Sequence, residues 1–289
     1  LGYTNPYYTV DGISRGFDLM YKKTDFADVD TAKFKTDVAS AGVNFGIPLN
    51  EFDRVRIDLK IVNTDFETGS DASTEVMNFQ TQNGDNFLDY LVGASWSHDS
   101  RDSAMFATRG GMQRLSAEAT LPGSDLEYYK IEYSHRRFFP ISESLTLALN
   151  GEVGYGDGYG DTNDLPFFKD YFAGGVKTIR GYKDYSLGPR DDNDDPLGGN
   201  LKLIGNVEVL FPEPFGLAPD TVRMGAFFDF GNVYDTNGSI DVGEFKYSAG
   251  VSLKWLSPMG PLGFVLAMPF NEDNEDDTEN FQFTFGTAF

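Results

Sequence analysis

The sequence predicts an all-β fold, a transmembrane antiparallel β-barrel. Three observations carry that reading: period-two alternation in segment after segment, an aromatic content that needs apolar surroundings, and connections that alternate between short and long. Aromatics make up 15% of the 289 residues, with 26 Phe and 15 Tyr against 2 Trp, in a chain of mean hydropathy −0.35. No apolar run approaches the ~20 residues of a membrane-spanning helix, and no signal peptide stands at Leu1. Strands that show one apolar face to lipid give the rings a place to sit.

The alternation is explicit along the chain. In 201–211 one row is Leu201, Leu203, Gly205, Val207, Val209 and Phe211, and the other holds Lys202, Asn206 and Glu208. In 245–255 the apolar row runs from Phe245 to Trp255 through Tyr247 and Val251, against Lys246, Ser248, Ser252 and Lys254. Val55, Ile57, Leu59 and Ile61 oppose Arg54, Arg56, Asp58 and Lys60, and 112–121 and 145–155 divide the same way. A soluble sandwich or lipocalin-like barrel would also alternate. Two features favour the membrane: segments of about 9 to 12 residues, long for globular strands, and apolar rows ending in aromatics such as Tyr155, Phe211, Trp255 and Phe289, as interfacial girdles do.

Crossings are expected near 13–24, 34–47, 54–66, 87–97, 112–121, 127–138, 145–155, 166–175, 200–211, 222–234, 245–256, 262–270 and 281–289. The opening NPYYTVDG (5–12) reads as a strand tail and a turn. Thirteen is odd, whereas bacterial single-chain barrels are even. By length, 48–52, 121–125, 139–144 and 256–261 read as periplasmic turns, and 65–86, 98–111, 156–166, 176–198, 235–244 and 271–280 as external loops.

Composition removes several function classes. With no cysteine there is neither a disulfide framework nor a thiolate metal site. A net charge of −22 leaves no basic stripe for a phosphate backbone, so nucleic acid is not an expected partner. The acidic runs DDNDD (191–195) and NEDNEDDTEN (271–280) lack EF-hand spacing and read as solvated loop charge; no metal or cofactor is expected. Catalysis by an outer-membrane protease would need an acid and a His at one rim. His98 and Asp99 are adjacent and so point to opposite faces of a strand, and His135 falls in an apolar row. No enzyme activity is expected.

Within a long loop stands Ile179-Arg180-Gly181-Tyr182. It resembles the [V/I]-R-G-[F/Y] signature on the sixth external loop of the BamA/TamA superfamily of outer-membrane assembly factors. TNPYYTVDG (4–12), LPGSDLEYYK (121–130), FFKDYFAGG (167–175), FFDFGNVYDT (227–236), SPMGPLGF (257–264) and FQFTFGTAF (281–289) extend the resemblance over the chain in one order. It implies a sixteen-stranded barrel of which 1–289 holds about thirteen strands, without the first three and without the preceding POTRA domains. It also implies that 176–198 folds into the lumen.

On the residues alone, Gly174, Gly175 and Gly181 free the backbone to fold back, while Glu208 and Asp229 sit in lumen rows; a solvated Arg180 and two unrelated acids remain the alternative. The resemblance pairs Arg180 with Glu208 and Asp229. It makes 281–289 the last strand of a lateral gate, with Phe281, Phe283, Phe285 and Phe289 alternating and Gly286 permitting a kink. Unfolded outer-membrane β-barrel clients would be inserted there without ATP, by strand addition to an open edge and local membrane thinning. Outer-membrane lipids, lipopolysaccharide and accessory lipoproteins, the last mainly through POTRA domains, are the further partners implied in the bacterial outer membrane. A TamA-like or two-partner-secretion barrel shares the loop signature; a passive porin gives no reason for it.

Overall fold

The computed structural model describes residues 1–26, 31–69, 71–214, 221–238, 240–272 and 276–286. Thirteen strands form one antiparallel sheet in sequence order. They are β1 (Gly2–Asn5), β2 (Ser14–Asp25), β3 (Phe34–Pro48), β4 (Asp53–Thr68), β5 (Asn86–Asp99), β6 (Gly110–Thr120), β7 (Tyr128–Pro140), β8 (Thr146–Gly158), β9 (Leu201–Pro212), β10 (Val222–Tyr234), β11 (Lys246–Ser257), β12 (Gly260–Phe270) and β13 (Phe281–Phe285). Among the described residues one α-helix, α1 (Thr74–Asn83), lies between β4 and β5, started by the Ser73 hydroxyl accepting from the Val76 amide. Among the described residues no helix is long and apolar enough to cross a membrane.

The sheet is inside-out relative to a soluble sandwich. Lys202, Glu208, Asp229, Lys246, Ser248 and Ser252 are buried, while Val207, Phe228, Val251, Ile57 and Leu59 on the opposite faces are exposed. Apolar rows facing outward and polar rows facing inward are stable only where lipid replaces water outside.

Residues 166–175 do not form the expected strand. Phe167–Lys169 make a single 3₁₀ turn, and the connection from β8 to β9 runs unbroken over 159–200. The reason is visible in the residues: Phe167 and Phe168 are consecutive, so a strand would send them to opposite faces. Instead both join an aromatic cluster with Phe34, Phe66, Phe79 and Phe87. Gly174 and Gly175 then adopt φ of +104° and +86°, outside any ladder conformation. The strand total is still thirteen because Gly2–Asn5 pairs with β2.

Strand direction also reassigns two of the ends. Successive antiparallel strands place the β3–β4, β5–β6, β7–β8 and β11–β12 connections at one end, and the β4–β5, β6–β7, β8–β9 and β12–β13 connections at the other. The long 98–111 segment therefore lies at the short-turn end, and 121–125 lies with the long loops. Length alone misassigned them; strand parity decides. The 191–195 run is also more than solvated charge. Asp191 is buried and its carboxylate accepts from the Asn193 and Asp195 amides. Asp192 accepts from the Thr74 amide at the start of α1, 3.0 Å away.

Candidate functional site

The β8–β9 connection packs against the polar, buried face of β9 and β10. Glu208 on β9 stands opposite Phe227 on β10, two residues before Asp229, so strand register brings both acids and one ring to the same inner patch. Arg180 reaches all three. Its Nε and Nη2 donate to the two oxygens of Asp229 at 2.7 Å each, its Nη1 donates to Glu208 Oε1 at 2.9 Å, and its backbone amide donates to Asp229 Oδ2 at 3.1 Å. The guanidinium lies 3.5 Å from the centre of the Phe227 ring. Arg180 is 7% exposed and Asp229 0%. A buried charge of this kind is tolerable only when its donors are matched, and the fork of Asp229 plus Glu208 supplies that match.

Glu208 is shared. Its Oε1 also accepts from the Ser252 hydroxyl at 2.6 Å, and its Oε2 lies 3.3 Å from Lys254 Nζ. Both partners come from β11, so the cluster ties three consecutive strands to the loop. Ile179 and Tyr182 flank Arg180 and are fully buried with Leu187, Ile204 and Val233. The Tyr182 hydroxyl donates to the Phe270 carbonyl at 2.9 Å. Gly181 has φ +92°, and a Cβ there would stand 2.9 Å from the Ala267 Cβ. Both the conformation and the space require glycine.

Gln282, the polar residue between Phe281 and Phe283, closes the site from the other side. Its Oε1 accepts from the Gly181 amide at 3.1 Å, and its Nε2 donates to the Tyr182 carbonyl at 2.7 Å. Alongside, the Glu279 amide donates to the Gly181 carbonyl at 2.8 Å and the Lys183 amide to the Asp277 carbonyl at 2.9 Å. The signature tripeptide thus grips β9 and β10 through Arg180 and β13 through its backbone. Sequence reasoning passed over Gln282, Phe227, Ser252 and Lys254. The row arithmetic that singled out Glu208 and Asp229 contained the signal for Ser252 and Lys254, and a lone amide in a Phe-rich strand was the signal for Gln282.

On β13, Phe281, Phe283 and Phe285 are about half exposed and face outward, while Gln282 is buried. Pairing with β12 covers Phe281–Phe285, from Leu266 to Leu262. Gly286 then turns with φ +74°, its amide donating to the Pro261 carbonyl at 2.9 Å. Phe289 lies outside the described residues. At the short-turn end, His98 contacts Asp53 rather than Asp99, Nδ1 to Oδ1 at 3.0 Å, and Trp96 donates to the same oxygen. Asp99 is paired with Arg101 at 2.8 Å. His98 thus fastens β4 to β5.

The Omp85 superfamily domain matches residues 1–289. The outer membrane protein assembly factor BamA of Neisseria meningitidis serogroup B is 36% identical, the alignment covering 100% of this chain and 41% of that protein. BamA of Nitratidesulfovibrio vulgaris is 25% identical over 99% of this chain and 36% of its own length. The chain therefore spans about two fifths of these relatives. Among solved structures, BamA from Haemophilus ducreyi lacking POTRA domains 1–3 superposes with a TM-score of 0.91 at 26% identity, covering 98% of this chain and 60% of that one. The inside-out sheet and these relatives make this a bacterial outer-membrane β-barrel, and the chain belongs to the Omp85 superfamily.

Proposed function

We propose that this barrel is the membrane part of an assembly factor that folds and inserts other outer-membrane β-barrel proteins, without catalysis of a covalent step and without ATP. The observation that carries this reading is the double grip of Arg180-Gly181-Tyr182, on the wall through Asp229 and Glu208 and on the final strand through Gln282. A loop that reports on the position of the last strand is expected of a barrel whose seam opens. The relatives named as assembly factors support the same reading. In this mechanism β13 forms one side of a lateral gate. A client strand adds to the exposed backbone edge, gaining main-chain hydrogen bonds and specificity from alternate side chains. Clients, lipids, lipopolysaccharide and accessory lipoproteins are the partners this role requires. A passive porin is disfavoured because the 159–200 connection packs side chains such as Tyr171, Ile179 and Leu187 against Ile204 of β9 and Val233 of β10.

The test is a disulfide lock. The chain has no cysteine, so Phe285→Cys paired with a cysteine on the barrel's first strand, placed at a Cα separation of about 4.4–6.8 Å, gives a clean crosslink. The oxidised protein should fail to assemble clients and the reduced protein should recover. Full client assembly with the crosslink formed would remove the gate.

A further inference from the structure

On the short-turn side of the Arg180 cluster the lumen contains a cavity of about 410 Å³. The whole chain carries a net charge of −22, yet the charged residues around this cavity are Arg136, Lys177, Arg180, Arg223 and Lys254 against only Glu152 and Glu208. Those two carboxylates are already engaged. Glu208 serves Arg180, Ser252 and Lys254, and Glu152 accepts from Lys202 at 3.1 Å.

Arg223 and Arg136 are met by carboxylates only through space among the described residues. Arg223 stands directly opposite Lys254 in the β10–β11 register, a like-charge cross-strand pair that repels. Its Nη2 donates to the Thr146 hydroxyl at 3.1 Å, but its Nε is buried with no acceptor. Asp102, from the β5–β6 connection, acts on Arg223 through space, but its oxygens accept from Thr108 and Arg109. Arg136 projects from β7 close enough to Lys254 to act on it electrostatically; Glu152 and Glu208 act on Arg136 through space, but among the described residues no carboxylate oxygen comes within ion-pair distance of it. Beside these cations lies an apolar wall of Ala107, Phe138 and Leu210. Converging guanidinium groups with spare donors, next to a small apolar surface, make a site for a negatively charged group attached to hydrocarbon.

We propose that this cavity binds an oxyanion, a carboxylate or phosphate, between Arg136, Arg223 and Lys254, with any attached hydrocarbon lying on Ala107, Phe138 and Leu210. The proposal stands independently of the assembly role. An oxyanion there relieves the repulsion between Arg223 and Lys254 and supplies the acceptor that Arg223 Nε lacks.

The experiment uses the full-length protein in a neutral maltoside detergent, titrated calorimetrically with inorganic phosphate, hexanoate and hexanol. Saturable binding of either ion, with none for hexanol, is expected. Hexanoate binding at least tenfold tighter than phosphate assigns the site to an anionic headgroup on an apolar chain, and comparable affinities assign it to the free ion. Arg136→Gln and Arg223→Gln should each weaken binding at least tenfold, while Arg223→Lys retains part of it. Should Arg223→Gln fail to fold, Arg136→Gln and Arg223→Lys decide the matter. Absence of saturable binding by both ions, or affinities unchanged in folded Arg136→Gln protein, overturns the proposal.

Discussion

The two strands gripped by the signature loop are held very differently. β10 is paired along both edges, with β9 from Arg223 to Tyr234 and with β11 from Val222 to Gly231. Its Asp229 is sealed beneath a guanidinium. β13 makes a ladder of five residues with β12, Phe281–Phe285, and is tied to the loop by one amide side chain. Ladder bonds and buried charge pairs make the first region part of the global folding unit, whereas a five-residue strand opens locally at lower cost. One tripeptide therefore couples a rigid wall to a loose edge.

Breaking the rigid side should have the largest effect. Arg180→Ala leaves Asp229 and Glu208 buried without their main cation, and loss of one partner of such a cluster costs about 3–5 kcal/mol. Urea unfolding in detergent should show that loss, heat-modifiable gel mobility should fall, and proteases should cut the 159–200 connection. Asp229→Arg combined with Arg180→Glu should restore part of it, because the pair is reversed while Glu208 now faces a like charge. Wild-type resistance of Arg180→Ala to heat and protease would contradict the anchoring role.

Loosening the other side should do less. Gln282→Leu keeps the volume and removes the acceptor for the Gly181 amide and the donor to the Tyr182 carbonyl, a loss of about 1–3 kcal/mol. The loss should be confined to β13 and the loop. Gln282→Glu, which keeps the acceptor and removes the donor, should fall between the two in limited proteolysis. Equal damage from Gln282→Leu and Arg180→Ala would erase the contrast between edge and wall.

The smallest effect depends on pH. Asp170, in the same connection, has a buried side-chain oxygen, Oδ1, without a hydrogen-bond partner. Burial pushes its carboxyl well above the usual range; nearby Asp235 and Asp164 add to this and Lys130 opposes it. A carboxyl raised on folding favours the folded state below its unfolded pKa and loses that contribution as pH rises through the folded value. Asp170→Asn should therefore stabilise the protein by about 1 kcal/mol at neutral to alkaline pH and change little below about pH 3.5. A stability difference that does not vary with pH would rule out Asp170 as the source.

Much of this architecture was legible because strand alternation is a short-range property. The inner and outer rows of β9 and β11 were read from residues such as Glu208 and Val251 with no knowledge of neighbours. The 166–175 segment was misread because Phe167, Phe168 and their glycines answer to a distant aromatic cluster, with Phe34 and Phe66 contributed by β3 and β4. Loop ends were misassigned at 98–111 because that connection is long for its end of the barrel, and length records nothing of strand direction. In the site, Glu208 and Asp229 could be placed on the lumen face from alternation, but their meeting with Arg180 depends on a loop path that only the family resemblance implied. Gln282 was hidden because its partners are backbone groups about a hundred residues away, which no side-chain pattern records.

Amide hydrogen exchange tests the contrast between wall and edge most directly. In the folded protein, the amides of Phe281–Phe285 should exchange faster than those of β10 by a factor on the order of 10² to 10³, because local opening of a five-residue ladder requires less than global unfolding. Gln282→Leu should accelerate β13 further and leave β10 unchanged. Protection of β13 equal to that of β10, insensitive to Gln282→Leu, would contradict the account.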